Sequence, residues 1–137
     1  MLTTDKKTMD AKPKEIEDRN DVGLLVHSFY ARVRQDELIG PIFNNAIHDW
    51  DEHLEKLTDF WETNLFFQRK YKGNPLKKHQ EVDENINHGI TQEHFGRWLQ
   101  IWFQTIDELF TGERANQAKH RARNMSTFMF IKIFQNR

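Results

Sequence analysis

Cysteine is absent from the 137 residues of the chain. A chain without thiols forms no disulfide, thiolate-bound zinc site or iron–sulfur cluster, and it has no cysteine nucleophile. This composition suits a reducing compartment, and we expect a cytoplasmic protein. Glycine is also scarce: the 6 glycines are scattered and form no phosphate-binding loop, and no serine lies in a nucleophile-elbow pattern. Nucleotide-dependent and acyl-transfer enzymes therefore have no anchoring motif here.

An excess of charge of one sign and long apolar runs are lacking too. Lys and Arg number 20 against 21 Asp and Glu, which gives a net charge of -1. The sequence therefore predicts binding neither to nucleic acid nor to an anionic membrane. No apolar run approaches the length of about 18 residues that a membrane span needs, and Met1 to Lys14 is polar where a secretory signal would be apolar. We expect a protein that is neither membrane-bound nor exported.

Two common metal-site patterns are missing as well. None of the 7 histidines has an acidic residue three positions before it, which a di-iron helical bundle would require. No two histidines are four residues apart, as they are in zinc proteases. The absence of these patterns argues against a di-iron bundle site and against a zinc-protease site.

Aromatic residues, in contrast, are plentiful. They make up 12% of a chain whose hydrophobic fraction is only 37%, so large flat side chains must supply much of the buried surface. Two interpretations stay open at this point: an aromatic core, or a pocket shaped for a flat ligand.

Apolar residues recur at helical spacing and predict an all-α domain over residues 20–137, preceded by a polar, flexible extension over residues 1–19. Gly40-Pro41 is expected to stop the first helix, with a compact turn over Ile42 to Asn45. Asn74-Pro75 is expected to open a short helix that carries His79. Nothing in the pattern indicates a strand. The long helical stretches are 20–35, 49–67, 91–110 and 115–133.

Two histidines lie on consecutive predicted helices. His53 falls on the apolar stripe of its helix, and His79 follows Leu76 at a spacing of three. Taken alone, His53 is more simply interpreted as a partly buried histidine and His79 as a surface histidine. Together, with aromatic residues available as walls, they are the groups needed on the two sides of a flat metal macrocycle.

A series of short motifs follows one another along the chain: Phe29-Tyr30, Gly40-Pro41-Ile42-Phe43-Asn44-Asn45, Trp50 with His53, Phe60-Trp61, Gly73-Asn74-Pro75-Leu76 with His79, His94-Phe95 and Arg97-Trp98-Leu99. In the order of these motifs the sequence resembles the group III truncated haemoglobins. The resemblance covers about residues 20 to 137, and its most specific part is the run from Gly73 to His79 with the downstream Trp98.

The resemblance implies a shortened globin, a two-on-two helical sandwich around non-covalently bound haem b. It implies that His79 is the iron ligand, with His88 as a weaker alternative. It further implies that Tyr30, His53 and Trp98 face the bound gas. The residues that the resemblance places against the haem are Phe43, His53, Leu57, Phe60, Trp61, His79 and Trp98.

The function implied is reversible binding of dioxygen and related diatomics, as in oxygen transport. The expected small ligands are dioxygen, carbon monoxide, nitric oxide or peroxide, the expected protein partner is an unidentified reductase, and the expected state is a monomer. One alternative is an enzyme of the same fold, a peroxidase-like or nitric-oxide-detoxifying haem protein. A second is a cofactor-free helical interaction module. No catalytic residue is assigned.

Overall fold

The computed structural model describes residues 12–66, 80, 82–83 and 90–135. Helix α1 is Arg19–Val33. It begins where the Asp18 carboxylate accepts a hydrogen bond from the Asp21 backbone amide at 3.0 Å, which satisfies an N–H of the first turn. Its start and end lie within two residues of the predicted bounds. The apolar stripe predicted for α1 is buried and consists of Val22, Leu25, Val26, Phe29, Tyr30 and Val33.

The stretch after α1 is helical, where the sequence predicted a compact turn over Ile42 to Asn45. Helix α2 is Gly40–Ala46, with Pro41 in its first turn. Proline is compatible with a first turn because its missing N–H would have no intrahelical partner there. A Cβ on Gly40 would lie 2.9 Å from the Arg34 carbonyl oxygen, so the chain can turn this tightly only with glycine. Gly40-Pro41 therefore begins a helix here.

Three long helices follow, close to the predicted stretches. They are α3, Trp50–Phe66, α4, Gln92–Leu109, and α5, Glu113–Gln135. Thr91 precedes α4 as predicted, and His94 Nδ1 accepts a hydrogen bond from the Thr91 backbone amide at 3.0 Å. This contact gives His94 a capping role.

Two pairs of helices form the body of the fold. Helix α1 packs on α3, α4 packs on α5, and α1 contacts α4 between the pairs. The small residues Ala115, Ala118 and Ala122 of α5 are buried, and the Trp102 indole donates to the Ala118 carbonyl at 3.1 Å. The all-α prediction is confirmed: the described ranges contain helices and one isolated bridge, between Lys14 and Phe110, but no strand. Among these residues no helix has the length and apolar character to cross a membrane.

The segment before α1 packs on the far end of the domain. Ile16 is 0% exposed and belongs to the core, and the Glu15 carboxylate accepts hydrogen bonds from the first backbone amides of α5, at 3.0 and 3.2 Å. The sequence predicted a flexible extension over residues 1–19, but Lys14, Glu15 and Ile16 contact the junction of α4 and α5. The lone apolar side chain of Ile16 among charged residues gave little sign of this contact. The rest of the predicted extension, residues 1–11, lies outside the described residues.

Candidate distal pocket

Tyr30 is the centre of a cluster of rings between α1, α2 and α3. It is 6% exposed, on the buried stripe of α1. Its ring centroid lies 5.7 Å from Phe43 of α2, 5.9 Å from Trp50 and 5.7 Å from His53, both of α3. The short helix α2 brings Phe43 to this position, so the helical start at Gly40-Pro41 shapes one wall of the cluster.

Trp98 joins the cluster from α4. Its ring and that of Tyr30 both pack edge-on against Phe29, and its indole N–H, which can only donate, lies within reach of the Tyr30 hydroxyl. Burial raises the pKa of Tyr30 well above its ordinary value, and the hydrogen bond from Trp98 lowers it by a smaller amount. The phenol is therefore protonated near neutral pH. Because it accepts from Trp98, it keeps its own proton to donate to another group.

His53 lies on the inner face of α3. The ring packs edge-on against Tyr30 at 85° and against Trp50 at 88°, and its Nε2 atom is buried. The structure therefore brings together the three polar side chains predicted for one site: Tyr30, His53 and Trp98.

The remaining predicted wall residues lie at different depths. Leu57 and Phe60 of α3 are partly buried and pack against the core. Trp61 is placed deeper, stacked on Trp102 at a centroid distance of 4.6 Å, and Trp102 in turn stacks on Trp98 at 5.9 Å. Trp61 therefore supports the cluster from behind and does not contact the Tyr30 ring in the way that Phe43 does.

Sequence reasoning did not count Trp50 and Arg34 among the site residues. The Trp50 ring touches both Tyr30 and His53, and the Arg34 guanidinium lies 4.4 Å from the Trp50 ring centroid. Trp50 is three residues before His53 on the same helical face, so its spacing could have indicated the contact. Arg34 lies outside the apolar stripe, and no signal in the sequence pointed to it.

The described half of the site fits a flat cofactor that carries a small, partly negative ligand. It offers hydroxyl, indole and imidazole groups within aromatic walls, and the part of the chain that is described contains no group of His, Asp or Glu side chains able to hold a metal ion by itself. The predicted ligand, His79, and its alternative, His88, lie outside the described residues.

Comparison with known proteins places the chain in a family. It is 33% identical over 123 residues to the group 3 truncated hemoglobin ctb of Campylobacter jejuni, a match that covers 87% of this chain and 89% of that protein. The crystal structure of group III truncated hemoglobin from Campylobacter jejuni matches with a TM-score of 0.79 and 31% identity, over 89% of this chain and 95% of the other. No family model matches the chain. With this fold, and with helix order and polar cluster as described, the chain belongs to the group III truncated haemoglobins, globins that bind ligands through haem.

Proposed function

We propose that this globin holds haem b through His79 and reversibly binds dioxygen and other diatomic ligands in the pocket around Tyr30. The observation that carries the proposal is the buried Tyr30, whose ring packs edge-on against His53 and shares Phe29 as a ring neighbour with Trp98. A core that only packs the helices together does not require three polar side chains at one point, because each buried polar group costs free energy unless it is paired.

The haem, when bound, supplies the iron to which the gas coordinates, and the chain supplies everything around it. The neutral phenol of Tyr30 would donate a charge-assisted hydrogen bond to a small ligand that carries partial negative charge. The indole of Trp98 orients that phenol by donating to its oxygen. His53, packed edge-on to Tyr30, limits the phenol to one side of the pocket.

The apolar side chains around these groups keep water out. Phe43 covers Tyr30 from α2, while Leu57 and Phe60 pack against the core from α3. Exclusion of water strengthens a hydrogen bond to a charged acceptor, since the effective dielectric constant falls. A ligand held in this way leaves slowly, which favours storage, sensing or ligand chemistry over rapid delivery.

A second function rests on the same three polar side chains, Tyr30, His53 and Trp98. Groups that stabilise negative charge on a coordinated oxygen ligand also polarise an O–O bond, so a peroxidase-like or nitric-oxide-detoxifying activity is the alternative proposal. Either activity would need electrons from a reductase, which we propose as the protein partner of a cytoplasmic, monomeric globin.

The experiment that separates the two functions compares rates on the same purified protein. The first-order dissociation of dioxygen is measured by stopped flow, and the turnover of hydrogen peroxide and of nitric oxide is measured with excess reductant. Reversible binding predicts complete release of dioxygen with no catalytic turnover above that of free haem. Sustained turnover well above free haem would favour the enzyme. Protein that takes up no haem would reject both functions and favour a helical interaction module.

A further inference from the structure

We propose that Asp36 and Arg97 form a positioning pair that holds Trp98 against Tyr30, so that the ion pair sets how firmly the pocket retains its ligand. The pair itself follows from contacts in the chain. Its effect on a bound gas rests on the function proposed above.

Asp36 lies in the turn that connects α1 to α2. One of its carboxylate oxygens accepts hydrogen bonds from the backbone amides of Leu38 and Ile39, each at 3.0 Å. Ile39 is buried and immediately precedes α2. The carboxylate therefore fixes the direction in which α2 leaves the turn, and with it the position of Phe43 beside Tyr30.

The other carboxylate oxygen of Asp36 reaches α4. Arg97 donates to it from a guanidinium nitrogen at 2.7 Å, across 61 positions of sequence. The side chain of Asp36 is 13% exposed and that of Arg97 is 37% exposed. Partial burial would raise the pKa of Asp36, but hydrogen bonds from Ile39, Arg97 and Leu38 outweigh it and leave the pKa below the ordinary value. The carboxylate is thus charged at neutral pH and the contact is charge-assisted.

Arg97 directly precedes Trp98, and this adjacency makes the pair relevant to the pocket. Neighbouring residues of a helix point about 100° apart, so one can anchor the helix while the next faces inward. Arg97 anchors α4 to the turn, and Trp98 packs edge-on to Phe29 at 5.3 Å, the same ring that Tyr30 contacts at 4.7 Å. One carboxylate therefore joins the three helices that carry Tyr30, Phe43 and Trp98.

A second arginine links α1 and α4 away from the pocket. Arg32 donates to Thr105 at 3.1 Å and forms an ion pair with Glu108, near the C-terminal end of α4. Its side chain is 39% exposed, close to the value for Arg97. If Arg97 served only to fasten the two helices, the two arginines would be equivalent. The proposal requires that they differ.

The test compares Arg97→Met with Arg32→Met, two variants that each remove one guanidinium of similar exposure. The first readout is the indole N–H resonance of Trp98 in nitrogen-15-labelled protein, with its hydrogen-exchange rate. The resonance is assigned by its loss in Trp98→Phe. We expect Arg97→Met to shift this resonance and to speed its exchange about 3- to 10-fold, while Arg32→Met leaves it as in the parent. In Arg97→Lys the resonance and its exchange rate should stay closer to those of the parent, because lysine keeps the positive charge.

The second readout is the dioxygen off-rate, expected to rise in Arg97→Met by a similar factor of about 3 to 10 and to change less than about twofold in Arg32→Met. Asp36→Asn offers a second route should Arg97→Met not fold, since it removes the charge but keeps an oxygen for the backbone amides. An unchanged Trp98 resonance in a folded Arg97→Met or Asp36→Asn protein, or an equal shift in Arg32→Met, overturns the positioning role. A parent protein that binds no haem overturns the proposed function instead, and the indole readout still decides the role of the pair.

Discussion

Tyr30 is the residue on which the account of the pocket depends. Its ring belongs to the core, and its hydroxyl accepts from Trp98 and keeps a proton to donate. A hydrogen bond to a charged acceptor contributes about 1.5 to 3 kcal/mol, which corresponds to a factor of roughly 10 to 150 in affinity. The size of this contribution can be measured because phenylalanine has nearly the same shape as tyrosine.

Tyr30→Phe should therefore speed dioxygen dissociation by about 10- to 150-fold, while the packing among Phe43, Trp50 and His53 is kept. The off-rate measured by stopped flow checks this expectation. Carbon monoxide serves as the internal control, because its outer atom carries less negative charge and its off-rate should change less. A dioxygen off-rate within about twofold of the parent would assign the main hydrogen bond to His53 or Trp98 instead.

The polar residues of the pocket were predictable from the sequence for a simple reason. The resemblance to the group III truncated haemoglobins assigned Tyr30, His53 and Trp98 to one pocket, and their positions on apolar helical stripes indicated that these faces are buried. Asp36 and Arg97 were not predictable in this way. Their contact joins a turn to a helix 61 positions away, so it exists only once α1 and α4 have packed.

At the scale of whole elements, neighbouring residues determine where most helices begin and end, but not all of them. Thr91 marks the start of α4 as the sequence predicted, because a cap acts through its immediate neighbours. Gly40-Pro41 is ambiguous locally, since the same pair can end one helix or begin another. The close approach of Gly40 to the Arg34 carbonyl resolves the ambiguity, and that approach depends on how the chain leaves α1.

The segment over residues 12–18 gives the sharpest test at this scale. Ile16 is fully buried in the core, so Ile16→Ala should lower the free energy of unfolding by about 2 to 5 kcal/mol. Urea unfolding followed by circular dichroism measures the loss. Lys12→Ala is the matched control, because the same segment exposes Lys12, and it should stay within about 0.5 kcal/mol of the parent. A loss below about 1 kcal/mol in Ile16→Ala would mean that the segment is not docked in solution.

On the scale of the molecule, the net charge is near zero, and several of the opposite charges form ion pairs between helices. Arg19 of α1 donates to Asp59 and Glu62 of α3, both at 2.7 Å, and Arg97 reaches Asp36 as described. These pairs are partly buried, so the cost of removing the charges from water offsets much of their attraction. Packing around Trp102, which is 0% exposed and contacts Phe29, Trp61 and Trp98, therefore contributes more to holding the two helix pairs together.

The ion pairs nevertheless give stability a defined pH dependence. Burial would raise the pKa of Asp21, but Lys14 and backbone amides lower it below its ordinary value, and Asp36 is lowered in the same sense. A carboxylate whose pKa is lower in the folded state stabilises the fold above its unfolded pKa and loses this contribution as the pH falls through the folded pKa. Stability should therefore fall below about pH 4.

Asp36→Asn isolates one of these contributions. The variant should be less stable than the parent near neutral pH, and the difference in unfolding free energy should shrink as the pH falls below about 4. Urea unfolding of both proteins across this range measures the difference. A difference that is constant with pH would mean that the charge of Asp36 contributes nothing to folding.

One ultraviolet–visible spectrum of the purified, reduced protein, recorded before and after carbon monoxide, tests whether the chain holds haem b through His79. We expect a five-coordinate ferrous haem that converts to a carbon monoxide complex, both in the parent and in His88→Ala. We expect His79→Ala to lose the haem or to bind it abnormally. A colourless parent protein, or loss of the five-coordinate spectrum in His88→Ala alone, would contradict haem binding through His79.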